Sequence, residues 1–132
     1  MRVVVDTSVW VDFFRDRSPA IAGRLDLLLE QDRVVLALPV RVELVGGAGK
    51  DQVRSLQRLL GAVPTVGPST KTWELMEEWA LAGARKGQHF GVGDLLIGGI
   101  AHEHGYSVWS MDHDFVRLSA LTHLRLHDPA AA

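Results

Sequence analysis

The sequence predicts an α/β domain of three layers, helices on both faces of a mostly parallel sheet of about five short strands. Three observations predict it. Short apolar runs rich in β-branched residues alternate along the chain with segments of helical periodicity. No repeat or low-complexity tract interrupts that alternation. The 132 residues suit one domain, 1–132, large enough to bury a core without staples.

The elements follow in order. Val3–Asp6 is a short strand, and Thr7 and Ser8 can cap a helix through Trp10, Phe13 and Phe14. Pro19 opens a second helix, with Ile21, Leu25, Leu28 and Leu29 at helical spacing. Val34–Leu38 is the second strand, and Pro39 fits the first turn of a helix to about Val45, closed by Gly46, Gly47, Ala48 and Gly49. Gln52–Leu60 is helical and Ala62–Val66 is the third strand. Ser69 or Thr70 caps a long helix to about Lys86, with Trp73, Met76, Trp79, Ala80 and Gly83 on one face. After a loop from Gly87 to Gly93, Asp94–His104 is a helix ended by Gly105. Ser107–Met111 is the fourth strand, Phe115–Leu121 a short helix and Leu124–His127 a fifth strand, leaving 128–132 as a frayed tail. Alternation of this kind implies right-handed crossovers, with ligands gathering at the carboxyl ends of the strands.

Composition closes off several functions. There is no cysteine, which excludes disulfides, thiolate zinc sites and thiol catalysis. No run approaches the ~20 apolar residues of a membrane span, and Asp6 cuts short the apolar start, so a cytoplasmic protein is expected. A net charge of -2 gives no global attraction to nucleic acid. A nucleic-acid role therefore needs a local basic rim, or a cation that reverses the sign of an acidic site.

Acids stand where the architecture focuses chemistry. Asp6 ends the first strand, and Glu43 lies one turn into the helix after the second. Asp94 opens the helix behind Gly91 and Gly93, and Asp112 and Asp114 follow the fourth strand. Any one of them is equally well a cap or turn residue. Together, Asp6, Asp94 and Asp112 share one edge of a parallel sheet, where carboxylates repel unless some hold protons or a cation is bound. Oxygen donors without Cys or paired His favour Mg²⁺ or Mn²⁺ over zinc. Such ions activate water and stabilise the leaving oxygen in phosphodiester hydrolysis. Ser8 is placed to hydrogen-bond an acid, Thr7 to act as a cap, and His113 to be a solvated loop residue.

The run Val4-Val5-Asp6-Thr7-Ser8-Val9-Trp10-Val11-Asp12 resembles the opening of PIN-domain nucleases, especially VapC-type toxins. Glu43 in Pro39-Val40-Arg41-Val42-Glu43-Leu44, Asp94 in Gly93-Asp94-Leu95-Leu96-Ile97 and Asp112 in Ser110-Met111-Asp112-His113-Asp114-Phe115 match the family's later acids in order and spacing. The resemblance implies the PIN fold, Mg²⁺-dependent RNA cleavage and inhibition by a VapB-like antitoxin. It implies Asp6, Glu43, Asp94 and Asp112 as the catalytic set, and Asp6, Asp94, Asp112 and Asp114 around the metal. The alternative is a catalytically silent PIN module acting as a scaffold.

Other features weigh less. Gly46 to Asp51 fails as a phosphate loop, because Leu44 and Asp51 occupy positions that need Gly and Ser or Thr. An aspartyl-phosphate phosphatase would want an Asp where Ser8 stands. Arg85 and Lys86 are the better candidates for phosphate contacts. Gly98 and Gly99 are read as small residues allowing close approach to the sheet. Three helical tryptophans make a helix-mediated homodimer surface an expectation.

Overall fold

The structure, a computed structural model, describes residues 1–130. Strands β1 (Val3–Val5), β2 (Val34–Ala37), β3 (Thr65–Val66) and β4 (Ser107–Trp109) form one sheet in the order β3-β2-β1-β4, every pair parallel. Helices α1 (Thr7–Phe14), α2 (Pro19–Glu30), α3 (Leu38–Gly47), α4 (Val53–Gly61), α5 (Thr70–Arg85), α6 (Val92–Glu103) and α7 (Asp114–Leu121) supply the crossovers. Strands β1 to β3 step one way across the sheet and β4 returns to the other side of β1. Right-handed crossovers then place α1–α4 on one face and α5–α6 on the other, which makes three layers. The return creates a switch point between β1 and β4, the crevice where such sheets bind ligands.

Strands β1 and β2 are buried along their whole length. Val3, Val4, Val5, Val34, Val35, Leu36 and Ala37 are all buried, as continuous apolar runs between two helical layers should be. Pro39 sits in the first turn of α3 as expected, and Gly105, at φ +74°, ends α6 in the left-handed conformation that glycine adopts without strain. Ser69 is the N-cap of α5, and its backbone N–H donates to Thr72 Oγ1 at 2.9 Å.

Several expectations need correcting. The fifth strand is a single parallel bridge, Val108 to Leu126. Pairing stops there because Pro129 has no N–H to give and Asp128 Oδ1 takes the N–H of Ala130 in a turn. That turn occupies 128–130 of the expected tail, and 131–132 lie outside the described residues. The third strand begins at Thr65, since α4 runs to Gly61 and Pro64 contributes only its carbonyl, which accepts from Leu36 N at 2.8 Å. Thr7 is no cap: β1 ends at Val5, Asp6 takes the N-cap position, and Thr7 Oγ1 is buried without a partner.

On α5 the buried stripe is Thr72, Met76, Trp79 and Gly83. Trp73 and Ala80 lie one residue, about 100° of helix, off that stripe and are exposed, Trp73 by 50%. Of the three helical tryptophans, Trp10 and Trp79 are core and only Trp73 remains at the surface. Gly98 and Gly99 also differ from expectation. A Cβ at Gly98 would meet Leu118, Leu124 and Trp79, each at 3.3 Å, and one at Gly99 would meet Thr72 and Met76 at 3.2 and 3.3 Å. The close approach is helix against helix, α6 on α5 and α7, rather than helix against sheet.

Candidate active site

The site grows out of sheet register. Val5 is paired with Trp109, so the next residues, Asp6 and Ser110, leave the two strands side by side. Asp6 N–H donates to the Trp109 carbonyl at 2.9 Å, which holds the first acid at the edge of β4. Asp6 as a residue is only 7% exposed, a costly position for a charge unless donors reach it. They do. Ser110 Oγ donates to Asp6 Oδ2 at 2.7 Å, and Ser8 Oγ donates to the same oxygen at 3.0 Å.

Both serines also accept backbone N–H groups: Ser8 Oγ from Met111 at 3.0 Å and Ser110 Oγ from Asp112 at 3.0 Å. The hydroxyls thus link the start of α1 to the turn after β4. Asp112 Oδ1 then accepts the N–H of Asp114 at 2.9 Å, so Asp112 has a turn role whatever else it does. Ser110 was missed in the sequence, although the register that places Asp6 places it too.

Asp94 enters from the other crossover, in the first turn of α6 after Gly91 at the N-cap. Helix N-termini favour a carboxylate, by ~0.3–1 kcal/mol at exposed sites. Here opposing effects win. Partial burial first, and then the charges of Asp112, Asp6, Asp114 and Glu43, push the Asp94 carboxyl up to about 6. Four further acids therefore act on one carboxyl.

Three of these acids converge closely. Asp94, Asp112 and Asp114 each present an oxygen within 4.8 Å of the other two. Asp6 and Glu43 stand outside that group of three. Asp6 is buried with Oδ2 taken by two hydroxyls, and Glu43 is exposed on α3. Asp112 and His113 are exposed, while Asp94 and Asp114 are half-buried. No histidine belongs to the group. Another buried acid, Asp12, takes no part: its Oδ2 accepts from Ser18 Oγ at 3.1 Å, at the N-cap of α2.

Beside Glu43 runs a groove of about 640 Å³ between α1, α3 and α4. Val11, Phe14, Leu44, Leu56 and Leu59 make its walls apolar, and Arg15 lines it as well.

The sequence profile of the PIN domain matches residues 3–121, nearly the whole chain. The chain belongs to the PIN domain family. Within the family it is 27% identical over 132 residues to Ribonuclease VapC11 of Mycobacterium tuberculosis, covering 93% of this chain and 96% of that one. It is 25% identical over 133 residues to Ribonuclease VapC1 of Haemophilus influenzae, covering 97% and 98%. Two solved structures share the fold. One is VapBC2 from Rickettsia felis bound to a DNA fragment from its promoter, with a TM-score of 0.80 at 22% identity over 96% of this chain and 98% of that one. The other is VapBC-1 from nontypeable Haemophilus influenzae, with a TM-score of 0.80 at 22% identity over 99% and 100%. Among the described residues of this PIN domain, no helix is long and apolar enough to cross a membrane.

Proposed function

We propose that this PIN domain is an endoribonuclease toxin that works in the cytoplasm on a bound divalent cation, Mg²⁺ with Mn²⁺ as a substitute, and that a VapB-like antitoxin silences it. The observation that carries this reading is the convergence of Asp94, Asp112 and Asp114 within 4.8 Å, with Asp94 pushed up to about 6 by burial first and then by the neighbouring acids. Such a group is a poor arrangement for a protein alone and a good one around a hard cation. The donor set is all oxygen, which suits Mg²⁺ or Mn²⁺ and disfavours zinc or copper. The relatives named as ribonucleases give the substrate class.

We assign Asp94, Asp112 and Asp114 to hold the ion, with Asp6 close behind. When bound, the ion supplies Lewis-acid stabilisation of the phosphate charge and lowers the pKa of water. The protein does the rest. Asp6 is held by Ser8 and Ser110 so that its carboxylate stays at the strand edge without leaning on solvent. Glu43, exposed outside the group of three, orients the attacking water and the scissile phosphate. Arg85 and Lys86, exposed ahead of the segment that leads to Asp94, contact the RNA backbone. Water attacks phosphorus, the phosphorus–oxygen bond to the leaving ribose breaks, and no protein nucleophile is needed.

A purified sample should cleave RNA with millimolar Mg²⁺ or Mn²⁺ and stop in excess EDTA. Cleavage that persists undiminished in EDTA sinks the metal reading.

The groove beside Glu43 supports the partner proposal. Its apolar side chains and the acid in its lining suit an amphipathic segment carrying an arginine, which could meet the Glu43 carboxylate through two hydrogen bonds. The product of the neighbouring gene should co-purify with this chain and suppress its cleavage of RNA. A tight complex that remains fully active rejects the antitoxin assignment.

A further inference from the structure

Arg117 lies outside every motif that identifies the site, yet it touches two parts of it. It sits one turn along α7 from Asp114, and its Nε and Nη2 donate to Asp114 Oδ1 at 3.3 and 2.9 Å. Nη1 donates to Gln88 Oε1 at 3.3 Å, and Nη2 also donates to the carbonyl of His89 at 3.4 Å. The guanidinium also lies over the Phe90 ring, with Cζ 4.7 Å from the ring centre. Gln88, His89 and Phe90 belong to the segment 87–91 that leads into α6 and so to Asp94.

That segment is pinned from its other side as well. Gln88 N–H donates to the Gly83 carbonyl at 2.8 Å, and a Cβ on Gly83 would stand 2.8 Å from Gln88 O and 3.0 Å from the Phe90 ring. The segment therefore lies between α5, where only glycine fits, and one arginine of α7. Among the described residues, that arginine is at the same time the one ion-pair partner of a carboxylate in the group of three.

We propose that Arg117 is a positioning residue, which fixes the direction of the Asp114 carboxylate and ties to it the segment that carries the chain into Asp94. Asp114 is 43% exposed at its side chain and faces two like charges, so without a tether it would swing toward solvent. The arrangement has two opposed effects on a cation. Arg117 orders a ligand, and its own charge repels the ion. Lysine separates them, because it keeps the charge and loses the planar fork that reaches Asp114, Gln88 and His89 together.

The inference rests on the nuclease reading for its kinetic consequence only; metal affinity and backbone exchange test it independently. In Arg117→Lys, calorimetric Mn²⁺ affinity should fall by about 10- to 100-fold, the range for losing a partner of a ligating carboxylate. Amides 87–91 should exchange with deuterium faster than in wild type. RNA cleavage should fall in kcat with KM little changed. In an Asp114→Ala background the same substitution should cost no further metal affinity, since the partner through which it acts is gone.

Wild-type affinity and exchange in Arg117→Lys overturn the proposal, as do fully additive losses in the double variant. If the wild-type protein proves inactive on RNA, the nuclease reading fails while the affinity and exchange measurements still decide this one. Should Arg117→Lys fail to fold, Gln88→Ala removes one contact from the opposite side. Faster exchange at 87–91 then supports the tether, and unchanged exchange rejects it.

Discussion

Asp94→Asn is expected to abolish RNA cleavage while leaving the metal-free protein at least as stable as wild type at neutral pH. Asparagine keeps the shape of the side chain and removes one charge from a group of acids that repel one another. The sign follows from the carboxyl itself, whose folded value is raised from 3.8 to about 6 by burial and by Asp112, Asp6, Asp114 and Glu43. A raised acid favours the folded state most fully below its unfolded value, and that contribution is lost as pH rises through the folded value. Wild type should therefore lose stability relative to Asp94→Asn between about pH 4 and pH 6 and stay behind it above that range. Arg117, paired with Asp114, softens the repulsion without removing it.

Metal should reverse the order. A cation at 100 times its dissociation constant adds about 2.7 kcal/mol to a protein that binds it, and a variant short of one ligand gains much less. Thermal melts of both proteins at pH 4.5 and 7.5, in EDTA and in millimolar Mg²⁺, check each part. If Asp94→Asn melts well below wild type in EDTA at pH 7.5, Asp94 is chiefly a cap of α6, and the reading of a repelling cluster is wrong for it.

Ser110→Ala should be the second severe change, although serine carries no charge and is not assigned to the metal. It removes the shorter of the two hydroxyl contacts to Asp6 Oδ2, at 2.7 Å, and the acceptor of the Asp112 N–H. Stripping a donor from a buried carboxylate costs about 1–3 kcal/mol, and loss of an outer partner lowers metal affinity or activity by about 10- to 100-fold. Ser8→Ala removes the longer contact, at 3.0 Å, and should do less. Chemical denaturation with parallel cleavage rates tests the pair. Equal, small effects for the two variants would mean that Asp6 is held by its backbone and not by these hydroxyls.

Much of the site was legible because it depends on residue type at element ends. Three valines running into Asp6 mark a buried strand that stops at an acid, and Gly91 ahead of Asp94 marks a helix start, which falls at Val92 rather than at Asp94. Pro39 and Gly105 set the ends of α3 and α6 by covalent constraint alone. Ser110 and Arg117 were harder to see for different reasons. Ser110 matters only through the pairing of Val5 with Trp109, and Arg117 only because α7 packs where segment 87–91 passes.

By itself, then, the sequence determined the alternation of strands and helices, the acids at their ends and the exclusion of thiol chemistry, because each is local. Periodicity, capping and composition act over a turn or less. Tertiary structure decided what depends on partners distant in the chain. It set the strand order β3-β2-β1-β4 and the loss of a fifth strand to one bridge at Leu126. It buried Thr72 and left Trp73 exposed, since helix position relative to a neighbour, not hydrophobicity, chooses the inner stripe. It also separated the acids by position, bringing Asp94, Asp112 and Asp114 within 4.8 Å and leaving Asp6 outside that group, under two hydroxyls. Carboxylates are alike in sequence; burial and the donors within reach make them different.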